Sequence, residues 1–220
     1  MELYHIHTLG TKDNMYKPNK EIIINKDLYN NRLFERVMDT KTAVHVSEFP
    51  ISSNMLNQIL SYGGFTQYTN EVSLVNLLDV LVTSDGTNEE KIKALKEARR
   101  ILINMQYLKR EKAMEDYRID NCPDKPSRLH SMYACSEEGL NYWSLQLSQT
   151  KADIYRIDAC DEVFYTNEQL LPFEESTYRE SYALASRYFN PRKKDFNLYQ
   201  DEYLIQGRVR ILEKVEEIRR

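Results

Sequence analysis

An α+β fold is what the sequence predicts, and three observations carry it. The chain opens on an alternating, β-rich run from Glu2 to Thr8. Its middle holds a long helical pattern from Thr87 to Asp120, and most of the remaining strand-like runs fall after residue 126. At 220 residues the expectation is a single domain, 1–220, because a chain of this length buries roughly 70% of its unfolded surface without needing disulfides or metals.

The elements follow in order. In the first strand Leu3, His5 and His7 share one face and Tyr4 and Ile6 the other, since strand side chains alternate. A loop at Lys17-Pro18-Asn19 leads to Ile22-Ile23-Ile24, which reads as a short buried strand. Asn30-Asn31 caps a predicted helix carrying Leu33, Phe34 and Val37. Ser52-Ser53 caps another with Met55, Leu56, Ile59 and Leu60, and the apolar segment from Val72 to Val82 fits helix or buried strand, with helix the favoured reading. In the long helix Ile92, Leu95, Ala98, Leu102, Met105 and Leu108 recur at intervals of three and four, with Lys, Arg and Glu on the other face. Pro123 and Pro126 stop it, because proline removes a donor and clashes with the preceding turn.

Beyond the prolines the character changes. Arg128 to Cys135 reads as a strand, Glu137 to Leu147 as a short helix, Asp153 to Ala159 as a strand and Glu162 to Tyr165 as another. Glu174 to Tyr188 is helical, with Tyr178, Tyr182 and Ala185 on one side, and Asn190-Pro191 ends it. Tyr199 to Ile211 alternates again, interrupted at Gly207, and Leu212 to Arg220 reads as a short charged helix.

Thirty basic against 34 acidic residues leave a net charge of −4, which argues against a general grip on nucleic acid. The basic groups Arg99-Arg100, Lys109-Arg110 and Arg192-Lys193-Lys194 read as solvated faces. Cys122, Cys135 and Cys160 are odd in number and widely spaced, so neither a disulfide framework nor a paired zinc site is expected. With no secretion signal and no uncharged run long enough for a membrane span, a cytoplasmic location away from the membrane is expected. Sixteen tyrosines against 7 phenylalanines suit half-buried strands, and also surfaces that bind flat polar ligands.

Glycine loops of the phosphate-binding kind and a GxSxG elbow are both absent from the sequence. His5 and His7 lie two apart on a strand and share a face, but only His45 and His130 remain as further imidazoles. No metal is expected on that count, and Cys135 and Cys160 read as small core hydrophobes. Asp158, Asp161, Glu162 and Glu168 read as solvated strand ends. Glu202 differs because it opens the β-rich segment Glu202 to Ile211; on the pattern alone an exposed acid at a strand's mouth is an equally good reading.

The N-terminal Leu3-Tyr4-His5-Ile6 is similar to the opening strand of ADP-ribosyltransferases of the His-Tyr-Glu type. The run Glu202 to Val209 is similar to their catalytic-glutamate strand, and Ser127 to Cys135, with Tyr133, would supply the middle motif. Tyr188-Phe189-Asn190-Pro191-Arg192 resembles a motif of the members that modify DNA. The chain as a whole resembles a bacterial family of unknown function within that superfamily. The order of these short motifs along about half the chain carries the resemblance.

What the resemblance implies is a split antiparallel sheet, with residues 30–120 as a mostly helical insertion between the first and second motif strands. It implies NAD as co-substrate and transfer of ADP-ribose to a macromolecular acceptor, protein or nucleic acid, in the setting of toxins or conflict with phages. Breaking the nicotinamide–ribose bond passes through an oxocarbenium-like state, which a carboxylate stabilises. Glu202 takes that catalytic role by resemblance. Tyr4 and His5 fall in the adenosine-ribose strand, Tyr133 stacks on nicotinamide, Tyr188 lies in the cofactor-binding set, and Arg128 or Arg192 pairs with the pyrophosphate. The middle motif lacks the Ser-Thr-Ser of the arginine-modifying branch, so protein arginine is the less supported acceptor. The alternative class is a non-catalytic interaction protein with a degenerate NAD cleft, using the long helix as its partner surface.

Overall fold

The computed structural model describes residues 1–8, 15–25, 87–147, 151–173, 176–192 and 196–218. The helices expected at Asn30 to Val37, Ser52 to Leu60 and Val72 to Val82 lie outside the described residues, as do His45, Lys193 and Lys194. Contacts divide the chain into two units, Met1–Leu33 with Arg110–Arg220, and Phe34–Lys109.

The first unit holds seven described strands: β1 (Glu2–Thr8), β2 (Glu21–Ile24), β3 (Met132–Ala134), β4 (Ala152–Ala159), β5 (Val163–Asn167), β6 (Asp201–Ile205) and β7 (Gly207–Ile218). They form two antiparallel sheets, one ordered β1-β4-β7-β2 and the other β3-β6-β5. Among the described residues one isolated bridge joins the two, in which Tyr4 and Cys135 exchange backbone hydrogen bonds of 2.9 Å each way. Three α-helices are described: α1 (Asn88–Asn121), α2 (Glu137–Gln146) and α3 (Tyr178–Phe189). No described helix is long and apolar enough to cross a membrane. The result is a mixed α+β architecture with antiparallel sheets.

Local chemistry explains the elements. The alternation in β1 buries Leu3, His5 and His7 against β4, where His5 faces Tyr155 and His7 faces Asp153. Ser136 caps α2 by accepting from the Gly139 amide. Thr177 and Glu180 form a reciprocal capping box at the start of α3, satisfying two otherwise orphaned amides. One apolar core gathers Leu3, Tyr16, Ile22, Ile24, Met132, Ile157, Ile205, Val209 and Ile211. A second, on the other face of β6, joins Met114 and Leu170 to Ala185, Tyr188, Phe189 and Leu204.

Several expectations need correction. The triple isoleucine is an edge strand, with Ile22 and Ile24 buried but Ile23 exposed at 55%. Arg128–His130 is a 3-10 turn rather than strand, because the Ser127 hydroxyl accepts from the Leu129 amide and closes the turn. Leu212 to Ile218 is strand, not helix, since β7 pairs with β4 as far as Ile218 and that ladder outweighs the local helical preference of a charged segment. Cys160 is exposed. In the second unit, Ala94 and Ala98 of α1 are buried, while Ile92, Leu95 and Leu102 are exposed.

The chain leaves one sheet and enters the other between β6 and β7, and Gly207 makes that step at a φ of 95°. A Cβ there would lie 2.6 Å from the Asp161 Cβ, whose carboxylate accepts from the Arg208 amide at 2.7 Å. Gly207→Ala is therefore expected to destabilise the fold by about 1–2 kcal/mol. The check is a thermal melt, in which a midpoint equal to the wild type's would contradict the strain.

Candidate functional site

Glu202 sits two residues before Leu204 on β6, so it shares the face that packs into the second core. It is 3% exposed, not the open acid that pattern alone permits. A buried carboxylate is costly unless paired and hydrogen-bonded, and here both conditions are met. Arg128, itself 5% exposed, is brought alongside by the 3-10 turn, and its Nη1 donates to Glu202 Oε1. The Tyr188 hydroxyl, from the last turn of α3, donates to the same oxygen and accepts from the same Nη1.

The opposite edge of the guanidinium is also taken. Arg128 Nε donates to Glu111 Oε2 at 2.9 Å, and Glu111 Oε1 accepts from Arg110 Nε at 3.1 Å and Nη2 at 3.0 Å. Glu111 is 1% exposed. Arginines and carboxylates thus alternate, two of each, through the buried cluster. The Arg128 guanidinium lies 4.8 Å from the Tyr188 ring centre and 5.3 Å from that of Tyr133, within cation–π range of both.

The electrostatics follow from this packing. Burial pushes the Glu202 carboxyl above its ordinary range, against the pull of Arg128 and Tyr188. Burial acts the same way on Glu111, but Arg128 and Arg110 outweigh it and hold that carboxyl low. Burial, together with the negative charge of Glu202, keeps the Tyr188 hydroxyl protonated and therefore a donor. Burial opposes the charge on Arg128, and Glu111 and Glu202 more than restore it.

A second group lies along β1. His5 Nδ1 is 2.7 Å from the Tyr133 carbonyl, which only accepts, so Nδ1 carries the proton and Nε2 is a bare acceptor. Nε2 and the Tyr133 hydroxyl are both buried, and neither has a hydrogen-bond partner among the described residues. The His5 ring stacks on Tyr16 at 5.1 Å, and Tyr16 in turn on His7 at 4.0 Å and Tyr155 at 5.5 Å. Burial, followed by the neighbouring His7 charge, outweighs the Tyr133 bond and lowers the His5 pKa to about 4.

The expected site residues are thus partly assembled. Glu202, Arg128, Tyr188 and Tyr133 meet in one cluster; His5 reaches it through the Tyr133 backbone, and Tyr4 forms the bridge to Cys135. Arg192 is exposed beyond the end of α3, apart from the cluster. Arg128, expected as a pyrophosphate ligand, instead has its guanidinium committed to Glu111 and Glu202. Tyr133, expected to stack on nicotinamide, has the Arg128 guanidinium over its ring. Sequence reasoning missed Glu111 and took Arg110 for a solvated residue. Arg110 lies three and four residues before the buried Ala113 and Met114, and Glu111 three before Met114, so phasing the helix on that buried pair would have placed both on the covered stripe. Among the described residues no group of three or more His, Cys, Asp or Glu is arranged to hold a metal ion.

The chain belongs to the DUF2441 family, described as a protein of unknown function, whose family model matches residues 3–217. No curated protein matches it.

Two measurements check this electrostatic account. His5 titrates at 6.5 when unfolded and near 4 when folded, so its contribution is fully present above pH 6.5 and is lost as the pH falls toward 4. The loss is on the order of 3 kcal/mol, visible as the difference between wild-type and His5→Gln unfolding curves across that window; parallel curves would contradict it. Arg128→Ala leaves Glu202 buried without its cation and Glu111 with Arg110 alone, and is expected to cost about 3–5 kcal/mol in denaturant unfolding. A loss below about 1 kcal/mol, the scale of an exposed pair, would mean that the cluster is solvated.

Proposed function

We propose that this protein is an ADP-ribosyltransferase of the His-Tyr-Glu type, cleaving NAD at the nicotinamide–ribose bond and passing ADP-ribose to a macromolecular acceptor. The observation that carries the reading is that β1, β3 and β6, which carry His5, Tyr133 and Glu202 and come from three separate segments of sequence, lie next to one another, with His5 bonded to the Tyr133 carbonyl. The two sheets meeting at the Tyr4–Cys135 bridge are compatible with the split sheet of that superfamily.

The donor set suits the co-substrate. His5 Nε2 is a buried acceptor with a fixed tautomer, the complement of a ribose hydroxyl. Tyr133 brings a ring next to Arg128 and a hydroxyl that has no hydrogen-bond partner among the described residues. Arg192, exposed after α3, is the cation left for the pyrophosphate. When the bond breaks, nicotinamide leaves with the electron pair and the ribose carbon becomes cationic. Glu202 faces that charge in a water-poor setting, where a carboxylate acts more strongly than in bulk solvent. The acceptor's nucleophile then bonds to the ribose carbon and gives up its proton to solvent water.

The test is incubation with labelled NAD and a cell lysate. Wild type is expected to release nicotinamide and label a macromolecule, and Glu202→Gln to slow release by about a hundredfold or more while still melting cooperatively. Full activity in Glu202→Gln would overturn the reading, as would a wild type that neither turns NAD over nor gains thermal stability from it.

A further inference from the structure

We propose that Glu111 and Arg128 are positioning residues for Glu202: Arg128 grips one of its carboxylate oxygens, and Glu111 sets the share of the guanidinium that this carboxylate receives. The inference rests on Glu202 being the catalytic carboxylate. It adds two residues to the mechanism, one of them contributed by the long helix.

The geometry makes the case. Both hydrogen bonds to Glu202 converge on Oε1, from Arg128 Nη1 and from the Tyr188 hydroxyl. No hydrogen bond to Oε2 is found among the described residues, so the carboxylate is fixed by one oxygen and presents the other. Arg128 is divided in the same manner, with Nε given to Glu111 and Nη1 to Glu202. Arg110 anchors the second oxygen of Glu111, and the rings of Tyr133 and Tyr188 flank the guanidinium. Two buried carboxylates therefore compete for one buried cation whose orientation is already fixed.

Such competition has a signed consequence. The groups that act on Glu202 are Arg128 from the 3-10 turn, Tyr188 from α3, Glu111 from α1 and Glu168 from the turn after β5, with Tyr133 of β3 acting on Arg128. Arg128 and Tyr188 favour the ionised carboxylate; Glu111 and Glu168 oppose it. Neutralising Glu111 gives Glu202 the whole guanidinium, making it a weaker base and drawing it toward Arg128. Removing the Tyr188 hydroxyl does the reverse. A purely structural role for these residues would lower stability without moving the acid limb of the rate profile in opposite directions.

The experiment measures nicotinamide release from NAD against pH for wild type, Glu111→Gln, Glu111→Asp and Tyr188→Phe. Alongside it, the Glu202 carboxylate is titrated by infrared difference against Glu202→Gln. Glu111→Gln is expected to lower kcat by up to about a hundredfold with KM for NAD little changed, and to move the acid limb to lower pH. Glu111→Asp, which keeps the charge, should restore much of the rate, and Tyr188→Phe should move the limb to higher pH. Limbs that stay fixed, or that move the same way in both variants, would overturn the proposal. If Glu111→Gln does not fold, Tyr188→Phe and Glu111→Asp decide it, and an unmoved limb in Tyr188→Phe overturns it. A wild type that releases no nicotinamide would remove the catalytic reading of Glu202; the infrared midpoints would then test the clamp by the same signs.

Discussion

A carboxylate cannot be placed where Glu202 lies unless a cation comes with it. Transfer of an isolated ion into a packed interior costs many kcal/mol, and only close pairing with hydrogen bonds offsets that. Arg128 supplies the pairing, but an arginine buried between two tyrosine rings needs compensation in turn, and Glu111 and Arg110 provide it. The 3-10 turn at Arg128–His130, the C-terminal part of α1, the last turn of α3 and the start of β6 are thereby tied to one set of charges. Moving the 3-10 turn or the start of β6 leaves a charge unpaired inside the protein, and moving α3 takes a hydrogen bond from both Arg128 and Glu202.

The two apolar cores divide the work around β6. Tyr203 and Ile205 face the first, with Val209 and Ile211 of β7, while Leu204 faces the second with Tyr188 and Phe189. Asp201, just before Glu202, is buried too, but its carboxylate accepts from the Ser136 amide and so fixes the start of α2. Adjacent acids on one strand thus serve opposite faces: one holds a helix end, and the other enters the charged cluster.

Much of this frame was legible in the sequence. The alternation in Glu2–Thr8 put Leu3, His5 and His7 on one face, which the fold buries, and two prolines marked the end of α1. Gly207 marked the interruption where the chain changes sheets. The order of the short motifs singled out Glu202, though whether it was covered depended on Tyr188 and Arg128 arriving from other segments. Glu111 stayed hidden because a charged residue in a charged helix looks solvated, and only its spacing from Met114 places it inside. The segment after Leu212 was misread because its partner, β4, lies some sixty residues away and local preference carries no trace of it.

The single bridge between the sheets has a mechanical consequence. Within each sheet the backbone is held by a continuous ladder, whereas between them, among the described residues, the ladder narrows to the reciprocal pair at Tyr4 and Cys135. Stress applied across the two sheets concentrates on that pair and on the adjacent contact from His5 to the Tyr133 carbonyl, so the molecule carries a crease at the place where its candidate chemistry lies. A ligand touching His5 on one side and Tyr133 on the other would act as a staple across that crease, stiffening the protein most where its own backbone bonding is thinnest.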